Sequence, residues 1–283
     1  MKINFKIYIV KIKKIHTSIR IKEGKKIMKF SYYPGCTLKT KAQELEKYGL
    51  DSAKALGVEL EEQKEWQCCG AVYPLGSDEI TSRLSSVRSL ASAHSKGEKL
   101  VTICSACHHV LKRTNEDLKK DENFRRKANN YLELENQYNG EGSVIHYLEM
   151  LRDEISFDAI KEKVTNPLNR KIGAYYGCML LKPKKDMQMD DPENPTIIED
   201  FIKALGGTPV VYPYRTECCG AYLAVNNKEL TDRMSEKITK SAMENGAEEI
   251  VTACPLCKYN LELREEISVK YFTELLAEAL GVK

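Results

Sequence analysis

The chain has 283 residues, 42% of them hydrophobic and 30% charged, which is enough for two domains that each bury a core. A mean hydropathy of −0.45 and the lack of any run near the roughly 20 apolar residues of a membrane helix describe a water-soluble globular chain with no membrane span. The net charge of +3 is unevenly placed: residues 1–27 hold nine Lys/Arg against Glu23 alone, a net +8, which leaves about −5 on residues 28–283 and no electrostatic footprint for nucleic acid.

Residues 1–27 read as a basic tail, disordered or upstream of the true start, with a basic edge strand as the alternative. Ile3, Phe5, Ile7 and Ile9 alternate with polar residues, and Lys11, Lys13 and Lys14 interrupt any signal-peptide core. With no export signal the expected location is cytoplasmic. From Met28 a strand pattern runs through Tyr33, and a helix is expected over 40–56, ended by Gly57. Residues 58–60 form a short strand, and a helix capped by Ser77 runs to about His94. The strand 99–103 ends at Cys104, and Cys107 lies three residues into the next helix. A polar helical segment over 119–142 has no later counterpart, and 144–151 closes the half.

The order then repeats. A strand over 171–176, a helix over 196–205, a strand over 209–212, a helix over 228–244 and a strand over 249–253 precede Cys254, and 269–276 echoes the earlier ending. Two tandem pseudo-symmetric α/β units with small parallel sheets are expected, 28–153 and 154–283, with the site loops gathered at the carboxyl edge of the strands. The Pro- and Met-rich loop 181–195 is expected to be a lid or a partner contact.

The repeat is also a repeat of cysteines. Cys68-Cys69-Gly70 returns as Cys218-Cys219-Gly220, and 34 residues separate Cys69 from Cys104 and Cys219 from Cys254. Cys107 and Cys257 complete a C-x-x-C pair in each copy, while Cys36 and Cys178 lead each copy after Tyr-Tyr-Pro-Gly and Tyr-Tyr-Gly. All ten cysteines are used, five per copy. A C-x-x-C pair alone is also a redox dithiol or half of a zinc site. Zinc takes four tetrahedral ligands and suits vicinal cysteines poorly, whereas several irons share neighbouring thiolates readily, so five thiols per site favour a polynuclear cluster.

This double pattern, C-x31-C-C-x34-C-x-x-C and C-x39-C-C-x34-C-x-x-C, resembles the cysteine-rich CCG domains of the B-type subunit of heterodisulfide reductase over about residues 28–283. The resemblance implies two noncubane [4Fe-4S] clusters. Cys36, Cys68, Cys69, Cys104 and Cys107 would hold one, and Cys178, Cys218, Cys219, Cys254 and Cys257 the other. It implies reductive cleavage of a small-molecule disulfide to thiols between the clusters, within a complex that is electron-bifurcating in some relatives. Electrons would come from a ferredoxin-like partner, the C-type component of such a complex, fed in turn by its flavin-containing A-type component. No G-x-G-x-x-G follows a strand here, so neither flavin nor NAD is expected in this chain.

Two other readings belong to related assemblies: a subunit of thiol:fumarate reductase, and an electron-relay or attachment subunit like those of succinate and glycolate dehydrogenases. Among the other residues, His108 and His109 are weak candidates for donation to sulfur, and the former aligns with Lys258. Arg215 is a weak candidate for gripping an anion, and Trp66 is expected to pack the cluster loop. Glu23-Gly24-Lys25-Lys26 is encodable by purine-rich bases that resemble a ribosome-binding site, so natively expressed protein is expected to begin at Met28. An intact mass corresponding to a start at Met1 would rule out that start.

Overall fold

The computed structural model describes residues 18–22, 25–71, 76 and 78–283. Strand β1 (Ser18–Lys22) turns antiparallel onto β2 (Lys25–Tyr33), which is followed by helices α1 (Cys36–Thr40) and α2 (Gln43–Ala55) and strand β3 (Val58–Glu62). After a 3-10 turn come α3 (Leu84–Ser95), β4 (Leu100–Thr102), α4 (Ser105–Lys120) and α5 (Glu122–Leu132). The half closes with β5 (Val144–His146) and α6 (Tyr147–Glu149), which runs on as a π-helical segment to Ile155.

The second half contains α7 (Phe157–Lys161), β6 (Lys171–Tyr175), α8 (Lys184–Met187), α9 (Ile197–Ala204) and β7 (Thr208–Val210). A 3-10 turn (Ala221–Leu223), α10 (Lys228–Glu244), β8 (Glu249–Thr252), α11 (Pro255–Glu262), β9 (Ser268–Tyr271) and α12 (Phe272–Leu280) complete it.

The fold is α/β, as the alternating pattern predicts. The parallel strands run in the order β3-β2-β4-β5 in the first sheet and β7-β6-β8-β9 in the second, the same permutation twice. Parallel pairing sends every strand's carboxyl end to one edge, where the cysteine loops emerge.

Three features differ from the sequence expectation. The closing segment of each half begins with a fourth strand, β5 or β9, too short to show a period of its own. Residues 18–22 and 25–27, inside the stretch read as a basic tail, pair in the first sheet, while residues 1–17, 23 and 24 lie outside the described residues. The loop 181–195 is an internal strap and not a free lid. Met187 and Met189 are buried, Lys120 of α4 pairs with Asp186 at 2.7 Å, and Arg152 donates to the Met189 carbonyl at 2.9 Å. The expected cap Ser77 also lies outside the described residues; the Asp78 carboxylate accepts from the Ile80 and Thr81 amides at 2.9 Å.

One apolar cluster spans both halves, with α12 packed on α2 and α6 on α9, and a second lies within the second half. The hydroxyl of Thr273 donates to the Leu45 carbonyl at 2.7 Å, and the ring of Phe272 meets Tyr147 and Phe201 with centroids 5.7 and 6.2 Å apart. At the centre, the Tyr271 hydroxyl lies 2.8 Å from the Ile103 carbonyl and 3.1 Å from that of Ala253, the residues just before Cys104 and Cys254. His146 Nε2 also lies 3.0 Å from the Ile103 carbonyl, and Ser105 donates to Ala253 through both its amide, at 3.1 Å, and its hydroxyl, at 2.7 Å.

Tyr271→Phe removes this shared donor, yet both carbonyls keep another partner. Its cost is therefore expected near the lower end for a buried hydrogen bond, about 1 kcal/mol rather than 3, as measured by chemical denaturation. A loss above about 3 kcal/mol would mean that the hydroxyl carries more of the junction than these contacts imply.

Candidate metal centre

Each nest of cysteines is assembled from three segments that leave parallel strands at the same edge. Cys36 follows β2, Cys68 and Cys69 lie in the loop after β3, and Cys104 and Cys107 open α4 after β4. Cys178, Cys218, Cys219, Cys254 and Cys257 repeat this around β6, β7 and β8. Cys104 and Cys254 are the N-cap residues of α4 and α11, with extended backbone, so Cys107 and Cys257 sit in the first turn of their helices. Amides of this first turn bond the Cys104 and Cys254 sulfurs, while donation to Cys104 and Cys69 raises the Cys107 thiol and donation to Cys219 and Cys254 raises that of Cys257.

The aromatic residue of each leading motif holds the next loop. The Tyr33 hydroxyl donates to the carbonyl of Gln67, just before Cys68, and Tyr175 does the same to Glu217 at 2.8 Å, just before Cys218. Trp66 packs edge-on against Tyr33 with ring centroids 6.2 Å apart and donates to Glu62 at 3.1 Å, in agreement with the expected packing role. Asn260 of α11 donates to the Cys219 carbonyl at 2.5 Å, and the Gly220 amide points to Cys218 Sγ at 3.3 Å.

All ten cysteines are unbridged. Cys36 Sγ lies 3.7 Å from Cys68 Sγ, and Cys219 Sγ lies 3.5 Å from Cys257 Sγ. Hydrogen bonding from the last cysteine draws the buried member of each vicinal pair below the ordinary thiol range: Cys107 acts on Cys69, and Cys257 on Cys219. Cys218 is drawn down to about 6 by Cys178. Cys254 is drawn down first by Cys104, which lies across the junction between the halves.

The nests differ in cover. Cys36 and Cys68 are exposed, whereas Cys178 and Cys218 are half-buried and border a cavity also lined by Ser105, Met179, Tyr222 and Leu256. Among the described residues no three His, Cys, Asp or Glu side chains converge as ligands of a single ion. Five thiols from three loops, two of them vicinal, form a donor set with more ligands than one tetrahedral ion takes, which fits a polynuclear iron–sulfur group.

The other candidate residues are engaged elsewhere. His108 is fully buried, with Nε2 3.2 Å from Glu149 Oε2 and its ring beside His146. Although burial raises the Glu149 carboxyl, the hydrogen bond and charge of His108, with Lys112, hold it down at about 2. Lys258 takes the same place in the second half, 3.8 Å from Glu274. Glu149 and Glu274 are the carboxylates that accept the His146 and Tyr271 amides at the start of the closing helices, so either basic residue serves.

Arg215 is buried and lies 3.4 Å from Glu199, with Asn194 accepting its Nη2 at 2.9 Å; it ties the second cysteine loop to the strap and is not free for an anion. His109 meets the Met179 carbonyl through Nδ1 at 3.1 Å, linking α4 to the segment after Cys178. Sequence reasoning passes over Met179, Tyr222 and Ser105. A direct alignment of the two copies reveals the second, since Tyr222 stands where the first copy has Val72.

The fold and the paired nests define a duplicated cysteine-rich α/β protein. Residues 30–112 and 172–262 both match the cysteine-rich domain family CCG, and the chain belongs to it. It is 31% identical over 266 residues to the 8-methylmenaquinol:fumarate reductase membrane anchor subunit of Wolinella succinogenes, covering 89% of this chain and 92% of that one. It is 27% identical over 268 residues to the B-type subunit of the ferredoxin:CoB-CoM heterodisulfide reductase of Methanosarcina mazei, covering 89% of each. A crystal structure of a hypothetical protein from Helicobacter pylori shares the fold, with a TM-score of 0.65 at 12% identity over 95% of this chain and 52% of that one. No helix among the described residues is long and apolar enough to cross a membrane.

Gly35, with φ +77°, stands so close to the first nest that a Cβ would lie 2.6 Å from Cys107 Sγ; at Gly177, φ +66°, the same atom would lie 3.4 Å from Cys257 Sγ. Gly35→Ala is therefore expected to displace a ligand and empty the first nest. Gly177→Ala keeps its metal and costs only the left-handed strain, about 1–2 kcal/mol. Metal per chain distinguishes the two, and equal retention in both variants would contradict the difference in clearance.

Proposed function

We propose that the chain is the iron–sulfur subunit of a heterodisulfide-reductase-like electron-transfer complex in the cytoplasm, and that it cleaves a small-molecule disulfide between two noncubane [4Fe-4S] clusters. Cys36, Cys68, Cys69, Cys104 and Cys107 would hold one cluster, and Cys178, Cys218, Cys219, Cys254 and Cys257 the other. The observation that carries this reading is a pair of five-thiol nests, each gathered from three loops at one sheet edge, with Cys104 and Cys254 directly after the two carbonyls that Tyr271 bridges. Such clusters supply single electrons when bound.

Cleavage of R–S–S–R′ takes two electrons and two protons and yields RSH and R′SH, so a reaction served from two adjacent sites matches the duplication. The chain's own part is to hold and shield. The first-turn amides of α4 and α11 bond the sulfurs of Cys104 and Cys254. Met179, Ala221 and Leu256 give the cavity apolar walls that limit water. A ferredoxin-like partner fed by a flavin-containing one would deliver the electrons.

The second reading, a relay or attachment subunit of a fumarate- or succinate-type dehydrogenase, draws support from the Wolinella relative. Exposed apolar side chains on the second half, Val225 at 96%, Tyr259 at 66% and Leu263 at 49%, offer material for attachment.

Anaerobically purified protein is expected to hold about eight irons and eight acid-labile sulfides per chain, falling to about four in Cys69→Ser or Cys219→Ser. Its oxidised electron paramagnetic resonance signal is expected to change when a thiol is added. Eight irons with a signal indifferent to thiol would favour the relay reading, and zinc in place of iron would overturn both.

A further inference from the structure

Tyr222 lies in the 3-10 turn just beyond Cys218-Cys219-Gly220, and its side chain lines the cavity beside the second nest. Its hydroxyl donates to the thioether sulfur of Met179 at 3.0 Å. Met179 follows Cys178 directly, and its own carbonyl meets His109 of the first half at 3.1 Å, which fixes this segment against α4. The cavity wall includes all five cysteines of the second nest and, from the first half, Ser105, the residue after Cys104, so the phenol faces the second nest on its side toward the first half.

The first copy has Val72 at the equivalent sequence position, and Val72 and the neighbouring Tyr73 lie outside the described residues. Burial raises the phenol above its ordinary range, and the charges of Cys254, Cys104, Cys178 and Cys69, drawn from both nests, raise it further. A phenol so placed keeps its proton. It is a hydrogen-bond donor and not a proton source.

We propose that Tyr222 is the hydrogen-bond donor that positions a substrate sulfur between the two nests, and that the Met179 thioether holds its place while no substrate is bound. This rests on the disulfide-cleaving reading above. A soft divalent sulfur already accepts the hydroxyl at this spot, and a disulfide or thiolate sulfur is the same kind of acceptor, stronger when anionic. Electrons and protons for cleavage come from elsewhere, and Tyr222 neither gains nor loses an atom.

The test uses the oxidised, anaerobically purified full chain with 2-mercaptoethanol as the probe, following the thiol-dependent change in the electron paramagnetic resonance signal. Tyr222→Phe keeps the ring and is expected to retain full iron and sulfide while the half-saturating thiol concentration rises about fivefold or more, the effect of one lost hydrogen bond to an anionic acceptor. Met179→Leu preserves volume and frees the hydroxyl, so its half-saturating concentration is expected to fall about threefold.

With 2-hydroxyethyl disulfide as substrate, Tyr222→Phe is expected to raise KM more than it lowers kcat. Half-saturation within twofold of wild type in Tyr222→Phe would overturn the proposal and leave the disulfide reading standing. A wild-type signal indifferent to thiol would overturn both. If Tyr222→Phe loses its iron, Met179→Leu decides, and an unchanged half-saturating concentration there would overturn the proposal.

Discussion

The structure depends on two backbone carbonyls, those of Ile103 and Ala253, being held together where the sheets of the two halves meet. Each terminates a buried strand, and each is followed at once by a cysteine. Tyr271 reaches both carbonyls, His146 lies against the first, and Ser105 crosses from one half to bind the second. A strand end left in solvent would let Cys104 and Cys254 wander. Locked in this way, the two cysteines open their helices at the junction of the halves. Satisfying two buried polar groups therefore also decides how close the two thiol nests can be.

The internal symmetry is followed where packing demands it and abandoned where chemistry differs. Each closing helix begins with a glutamate that accepts the amide of its N-cap residue, and each such glutamate needs a basic partner in a nearly dry setting. His108 answers one and Lys258 the other, which explains why the two copies tolerate different residues directly after the C-x-x-C pair. The cover over the nests is asymmetric: two exposed thiols in the first, and half-buried thiols under Met179 and Tyr222 in the second.

The fold class, the division into two similar halves and the whole cysteine set were legible in the sequence, because spacing and strand–helix alternation survive duplication. The fourth strands were not, since Val144–His146 and Ser268–Tyr271 are too short for a period and owe their conformation to a neighbouring strand. Arg215 and His108 were only weak candidates in the sequence for a common reason. Composition shows that a charged or titratable group is near the cysteines, but only the fold shows that Glu199 and Glu149 already occupy it. Tyr222 left a trace in the sequence as a mismatch between otherwise equivalent positions. Its meaning required the cavity.

The crossing of α12 onto α2 and of α6 onto α9 carries a consequence for each half taken alone. A single copy of the unit, ending in its own closing helix, has an apolar helix with nowhere to lie and an open groove on α2 that needs one. Two such copies related by a twofold axis would satisfy each other by exchanging those helices, forming an isologous homodimer with the two thiol nests face to face. One chain that carries both copies makes that partner permanent, and it releases the two nests from having to be identical.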